Sequence, residues 1–174
     1  PEIDNTSHDS HSNLNYLSAT IPFHWHRNMV VSVNYQRLYD FYQDLDYRRN
    51  LSQGAIQLDQ QIRFDQSGTV GAVGLAGGVE LTPHLSLGLT VNVWTDQLGF
   101  DNGWESNYNE SATGFQAGVP VTVQTRIQDR YEKFRGVNFN LGFLWETDAW
   151  GSLGAVVKTP FTATLQHHFH FDQT

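Results

Sequence analysis

The feature that most constrains this chain is a strict alternation of side-chain character that carries no charge. Leu85 to Thr95 reads Leu-Ser-Leu-Gly-Leu-Thr-Val-Asn-Val-Trp-Thr. Leu85, Leu87, Leu89, Val91 and Val93 fall on one face, and Ser86, Gly88, Thr90 and Asn92 on the other. A period of two is that of a β-strand, whose successive side chains point to opposite sides of a sheet. A strand with its polar face in bulk water usually carries Lys, Glu or Arg along it. A face of Gly, Ser, Thr and Asn suits a crowded, wet interior, with the apolar face turned to lipid or to a second sheet. Windows 13–23, 28–36, 69–79, 137–145 and 151–157 are likewise free of Asp, Glu, Lys and Arg. A tilted membrane strand needs about 9–11 residues, so only the last window is marginal in length.

Composition narrows the environment. Charged residues make up 16% of the chain, against roughly 25% in an ordinary soluble domain. The mean hydropathy is nevertheless −0.43, so the polarity comes from uncharged Asn, Gln, Ser, Thr and Gly together with His. Plentiful aromatics and a polar but uncharged interior are the composition of outer-membrane β-barrels, with their polar lumens and aromatic girdles. A net charge of −8 with only two lysines, Lys133 and Lys158, argues against nucleic acid, because phosphate neutralisation needs clustered cations. With no cysteine there is neither a disulfide scaffold nor a thiolate metal site. No stretch approaches the length of an apolar membrane helix. Residues 1–13 are polar and do not read as a secretory leader. Since the first residue is Pro1, the expectation is a processed chain or an excised piece.

Taken in order, residues 1–12 read as a polar loop and 13–172 as strands of one barrel segment. A first strand (13–23) precedes a short turn at His24–Asn28, and a second runs from Met29 to Tyr39. Residues 42–54, with Asp44, Asp46, Arg48 and Arg49, read as a long loop. Ala55–Phe64 reads as a strand extending beyond a membrane, and Thr69–Leu81 as a Gly-rich strand. Thr82-Pro83-His84 is a tight turn. Residues 96–118 form the longest expected loop. Val119–Arg130 alternates again, the charged patch Asp129–Arg135 interrupts it, and Val137–Trp145 matches the opening strand most closely. A turn at Thr147–Trp150 leads to Gly151–Lys158, and after Thr159-Pro160 the pattern resumes as far as Phe171. Short turns near 26, 83 and 149 alternate with long connections, as in an up-and-down barrel with short turns on one side. Trp25, Trp94, Trp145 and Trp150 lie at window ends, where an interfacial aromatic belt is expected. The fold class is therefore all-β, antiparallel and up-and-down: a segment of an outer-membrane β-barrel with about six long strands. The alternative is a soluble β-sandwich or calyx that binds lipophilic ligands or protein partners.

Three segments resemble a known family. Gly136-Val-Asn-Phe-Asn-Leu-Gly-Phe-Leu-Trp, the turn, and Gly151-Ser-Leu-Gly-Ala-Val-Val-Lys-Thr-Pro with the polar strand after it are similar to the FadL/TodX-type outer-membrane transport family. Gly77-Gly-Val-Glu-Leu-Thr-Pro-His-Leu-Ser-Leu-Gly resembles another hairpin of that family. The resemblance spans residues 14–172 and rests on barrel patterns rather than catalytic fingerprints. It implies a bacterial outer-membrane barrel that passes long-chain fatty acids or aromatic hydrocarbons, with the lipid bilayer and a hydrophobic solute as partners. The chain departs from the family in strand number, since bacterial barrels close from eight strands upward. It also departs in lacking a hatch segment and a terminal aromatic. An internal piece of a longer transporter is the expectation, with open sheet edges that invite self-association.

Candidate chemistry is sparse. His24 and His26 flank Trp25, and His168 and His170 flank Phe169; histidines two apart on a strand share a face and can share a metal ion. No carboxylate completes either pattern, so no metal and no cofactor is assigned. Ser106, Ser111 and Ser152 lie in no nucleophile elbow, Glu80, Glu105 and Glu110 pair at no useful spacing, and no phosphate loop is present. The chain reads as a non-enzyme. Arg126 and Arg130 read as solvated charges, with capture of a carboxylate as the functional alternative. Gly71, Gly74, Gly77, Gly78 and Gly88 read as backbone accommodation in a curved sheet, with a narrow lumen for a lipophilic ligand as the functional alternative. In the expected mechanism the external loops 42–54 and 96–118 capture the solute and the lumen conducts it passively.

Overall fold

A computed structural model describes residues 14–97, 101–147 and 151–174. Among these residues there is no helix. The strands are β1 (Tyr16–His24), β2 (Asn28–Asp40), β3 (Gln43–Gln53), β4 (Ile56–Thr82), β5 (Leu85–Trp94), β6 (Gly103–Gln116), β7 (Val119–Thr147), β8 (Gly151–Lys158) and β9 (Thr164–Gln173). Every pairing between them is antiparallel.

The nine strands resolve into six long staves. Against β4, β2 covers Thr69–Val79 and β3 continues the same edge over Ile56–Gln66. β5 and β6 lie end to end between β4 and β7, and β8 and β9 lie end to end on the far edge of β7. The pairing ring β4–β5–β7–β6–β4 that makes the sheet barrel-like follows from β5 and β6 sharing one gap. Stave order in space is stave order in sequence, so the sheet is an up-and-down meander, as the alternation predicts.

The expected long loops are a correction. Residues 43–53 and 103–116 are strands, joined to their partners by two-residue turns at Gly54-Ala55 and Ala117-Gly118. Gly54, Ala117 and Gly118 have φ of 59°, 51° and 78°, the left-handed backbone that tight hairpin turns require. The asymmetry between the two ends of the sheet is thus one of strand length, not loop length. Asp129–Arg135 does not interrupt β7 either; the strand runs through it with a bulge at Lys133 (φ 57°). Pro160 does break its stave, between β8 and β9, as a residue that cannot donate to the ladder should. The polar loop 1–12 and most of the turn 147–150 lie outside the described residues.

Irregularities gather at one level, a waist that crosses staves two to six. β2 has a register shift between Arg37 and Tyr39, and β4 passes through Gly68 at φ 130°. The same level holds the break between β5 and β6, Lys133, and the break at 159–163. An extra residue in a strand moves every following side chain to the other face, so the waist is where the sheet changes character.

Below the waist one face is apolar across all six staves. Its rows are Ile21–Val31–Gly77–Leu89–Leu141–Val157 and, on either side, Ala19–Val33–Leu75–Val91–Phe139 and Phe23–Met29–Val79–Leu87–Phe143–Ala155. These side chains are exposed: Ile21 66%, Leu75 61%, Leu141 55% and Val157 66%. From Val93 to Leu85 the band measures about 27 Å along the strand at ~3.4 Å per residue. Above the waist the same face of β4 carries Asp59, Gln61, Arg63 and Asp65. Across neighbouring strands the row Asp46–Arg63–Asn109–Arg126–Asp172 replaces the aliphatic rows. The only buried hydrophobic cluster among the described residues sits at the waist: Val70, Ala72 and Trp94, with Phe41, Trp104 and Phe134 packed against it.

Candidate functional site

The face opposite the aliphatic rows is built from small residues because the even positions from Ala72 to Gly78 in β4 and from Ser86 to Asn92 in β5 carry Gly, Ala, Ser, Thr and Asn, with Glu80 beyond them at the lower end of β4. Gly78, Gly88 and Gly142 stand side by side on three neighbouring staves, flanked by Val30 and Val156. With no side chains over this row, a trough of about 370 Å³ opens above the backbone, lined by Ser32, Ala76, Thr90 and Asn140 as well. A second hollow of about 410 Å³ continues it past Ser86, Leu144 and Gly154. A Cβ on Gly88 or Gly142 would meet nothing closer than 3.6 Å, so packing does not demand glycine there. Gly74 differs, since its Cβ would fall 2.4 Å from the Asn34 amide oxygen. Of the glycines singled out in the sequence, Gly88 and Gly77 are the two with open room, their nearest neighbours at 3.6 and 3.9 Å; Gly71 and Gly78 have neighbours at 3.1 and 3.0 Å. Gly77 belongs to the aliphatic face.

At the upper end of this face, aromatic rings close the trough. Trp94 is 8% exposed and stacks on Phe161 with ring centres 5.6 Å apart, and its indole N–H donates to Asn138 Oδ1 at 2.8 Å. The belt position expected for Trp94 is therefore corrected: as an even residue of β5 it points away from the aliphatic face. Trp145 lies on that face at 50% exposure and Trp25 is in an exposed turn; Trp150 lies outside the described residues. Above Trp94, Phe41, Trp104, Tyr131 and His167 form a ladder of stacked rings at 4.8, 4.5 and 4.3 Å. Gly68 makes this possible, because a Cβ there would collide with Trp104 at 2.4 Å. His167 Nε2 contacts Asp129 Oδ1. Nothing in the linear sequence announces this ladder: its members come into register only once the expected loops are strands.

The long hairpins carry the polar networks. On the ladder's face, Arg49 donates twice to Gln60 Oε1 at 2.9 and 2.6 Å, and Gln60 Nε2 donates to Glu110 Oε1 at 2.8 Å. Glu110 Oε2 accepts from the Tyr108 hydroxyl at 2.8 Å. Burial, with that carboxylate beside it, pushes the Tyr108 phenol up to about 12. On the opposite face, Glu105 accepts from Gln128 at 2.9 Å and Asn107 at 3.0 Å, which holds its carboxyl below the ordinary range, with Arg130 adding to the effect. Asp96 is lowered by its paired hydrogen bonds from Arg135, at 2.5 and 2.9 Å. Asn102 is a buried clip: its amide donates to Gly71 O and accepts from Gly71 N, both at 2.8 Å. It thereby replaces the ladder partner that the break between β5 and β6 removes.

The other expected residues do not converge. Arg130 is held by Glu132 at 2.6 Å and Glu105 at 3.5 Å, and Arg126 Nε donates to Asn109 at 3.1 Å. Arg126 does line a polar hollow of about 640 Å³ with Arg63, Gln61 and Gln124. His24 bonds Asn28 at the lower end of the sheet, while His168 lies 3.7 Å from Glu132 in the hairpins. Among the described residues no group of three or more His, Asp or Glu is placed to hold a metal ion. No helix among them is long and apolar enough to cross a membrane. No family model, curated protein or solved structure matches this chain.

Proposed function

We propose that this chain is wall of an outer-membrane β-barrel that passes hydrophobic small molecules, with fatty acids or aromatic hydrocarbons as the class that the sequence resemblance suggests. One observation carries the reading: an aliphatic face unbroken across six staves, about 27 Å long measured along the strand, that ends at one level where charged rows begin. An exposed apolar surface of that extent is a liability in water, where a monomer's largest patch is a few hundred Å². It is an asset against lipid, where barrels carry an apolar band ~25 Å tall. The long hairpins stand in water on this reading, and the small-residue trough lines the passage. Movement is passive, since the trough holds no charge and no covalent chemistry is called for.

The test is uptake of a fluorescent hydrophobic solute by sealed vesicles bearing the chain, compared with Gly88→Phe. The substituted ring has room to fold into place and fills the trough, so uptake is expected to fall severalfold at equal membrane incorporation. A chain that stays monodisperse and folded without detergent at high concentration would contradict the reading.

A further inference from the structure

Above the waist, the face that carries the aliphatic rows lower down holds the polar hollow of about 640 Å³, a size usual for ligand sites. Two neighbouring cross-strand rows line it: Arg63, Asn109 and Arg126 in one, Gln61, Ser111 and Gln124 in the next. These six residues sit on β4, β6 and β7, each paired along both edges at this level. Although the whole chain carries a charge of −8, the side chains of the hollow sum to a positive one. Asp172 lines it as the opposing carboxylate. Glu110 borders it but turns its carboxylate to the other face, where Oε1 accepts from Gln60 and Oε2 from Tyr108.

The Cα atoms of Arg63 and Arg126 stand two strand spacings apart, about 10 Å. Arg63 reaches Asp46 at 3.0 Å and remains 62% exposed. Arg126 donates its Nε to Asn109 Oδ1 at 3.1 Å. Among the described residues Arg126 enters no ion pair, although Asp172 stands opposite it in the ladder. Its bond to Asn109 draws it toward the middle of the row, on the side of Arg63. Two guanidinium forks flanking one amide suit an anion with several acceptor oxygens. The row of Gln61, Ser111 and Gln124 adds uncharged donors and acceptors, which suit hydroxyls attached to that anion.

We propose that the hollow binds a phosphorylated sugar, and that this sugar is the headgroup of a glycolipid packed against the same face. Arg63 and Arg126 take the phosphate, and the neighbouring row takes the sugar hydroxyls. The inference rests on the membrane-wall reading. The hollow shares its face with the aliphatic rows, and Arg63 lies about 20 Å along β4 from Thr69 at the waist. A lipid whose chains lie on the aliphatic rows therefore extends its head over the hollow, and basic pockets at a membrane surface are where lipid heads are recognised. That distance suits a head several sugars long rather than a simple phosphodiester.

The experiment titrates the folded chain in detergent micelles and counts bound molecules by native mass spectrometry. The probes are lipopolysaccharide, its dephosphorylated form, phosphatidylglycerol and free glucose 6-phosphate. Arg63→Gln, Arg126→Gln and the double variant are compared with Arg27→Gln, which removes the same charge at the opposite end of the sheet. Expected is retention of lipopolysaccharide by the parent chain and by Arg27→Gln, weakened about tenfold by each substitution in the hollow. The other three probes are expected to be retained far less. Unchanged retention in the double variant would overturn the proposal. So would equal retention of the dephosphorylated form or of phosphatidylglycerol by the parent chain, a comparison that needs no variant to fold. Glucose 6-phosphate bound as tightly as lipopolysaccharide would overturn the glycolipid as its source. Lipid protection of Leu89 in vesicles is read in parallel. A protected chain that retains no lipopolysaccharide sinks this inference alone, and loss of that protection sinks the membrane reading.

Discussion

Asn102 and Tyr108 show how single residues hold a sheet with almost no core. Among the described residues the Asn102 amide is the partner of the Gly71 backbone on that side, and both residues are buried. Asn102→Ala leaves a buried N–H and C=O unsatisfied, which costs about 1–3 kcal/mol; a urea titration in micelles should find the midpoint lowered with an unchanged slope. Tyr108 stays neutral up to about 12 because of burial and the facing Glu110, whereas an unfolded tyrosine ionises near 10. The folded state is therefore favoured fully below pH ~10 and loses that margin as pH climbs towards about 12. Alkaline unfolding followed by circular dichroism should fall less steeply across that window for Tyr108→Phe than for the parent chain. A parallel slope would show that Tyr108 ionises like a solvated phenol.

Individual strands were legible to different degrees, and the reason is physical. Where apolar and small residues alternate without charge, as in β5, parity alone placed Leu85 to Val93, whereas Trp94, expected in an aromatic belt, follows the same parity to the face opposite Leu85. In the hairpins the same period of two is present, with Leu45 and Tyr47 alternating with Asp44, Asp46 and Arg48. There the charged residues sit on a solvated face and make the segment look like a loop. One-residue bulges hide the rest: Lys133 reverses the parity of β7, so Val137 and Arg126 share a face although one number is odd and the other even. Deleting Lys133 should restore an unbroken parity in β7 and force aliphatic residues onto the small-residue face. The expected outcome is failure to reach the folded micellar species, scored by the heat-dependent electrophoretic shift of folded barrels. A chain that folds normally without Lys133 would show that the bulge does not set the register.

The molecule as a whole is organised along its staves rather than around a centre. Its one buried hydrophobic cluster among the described residues lies at the waist, with Ile62 and Ala112 buried in the hairpins; the aliphatic face lies below the waist and the charged rows above. Such a layout leaves no driving force for a compact fold in water, because the apolar area faces outward. It gains one when that face meets hydrocarbon and the hairpins meet solvent. The most direct measurement of this claim is a nitroxide scan along β5, from Leu85 to Trp94, in lipid vesicles. Collision with oxygen, which concentrates in hydrocarbon, is predicted to peak at 85, 87, 89, 91 and 93 and to drop at 86, 88, 90 and 92. Collision with a water-soluble nickel chelate is predicted to stay low at the odd positions. Equal access of the chelate to odd and even positions would contradict the account, because the aliphatic face would then be in water.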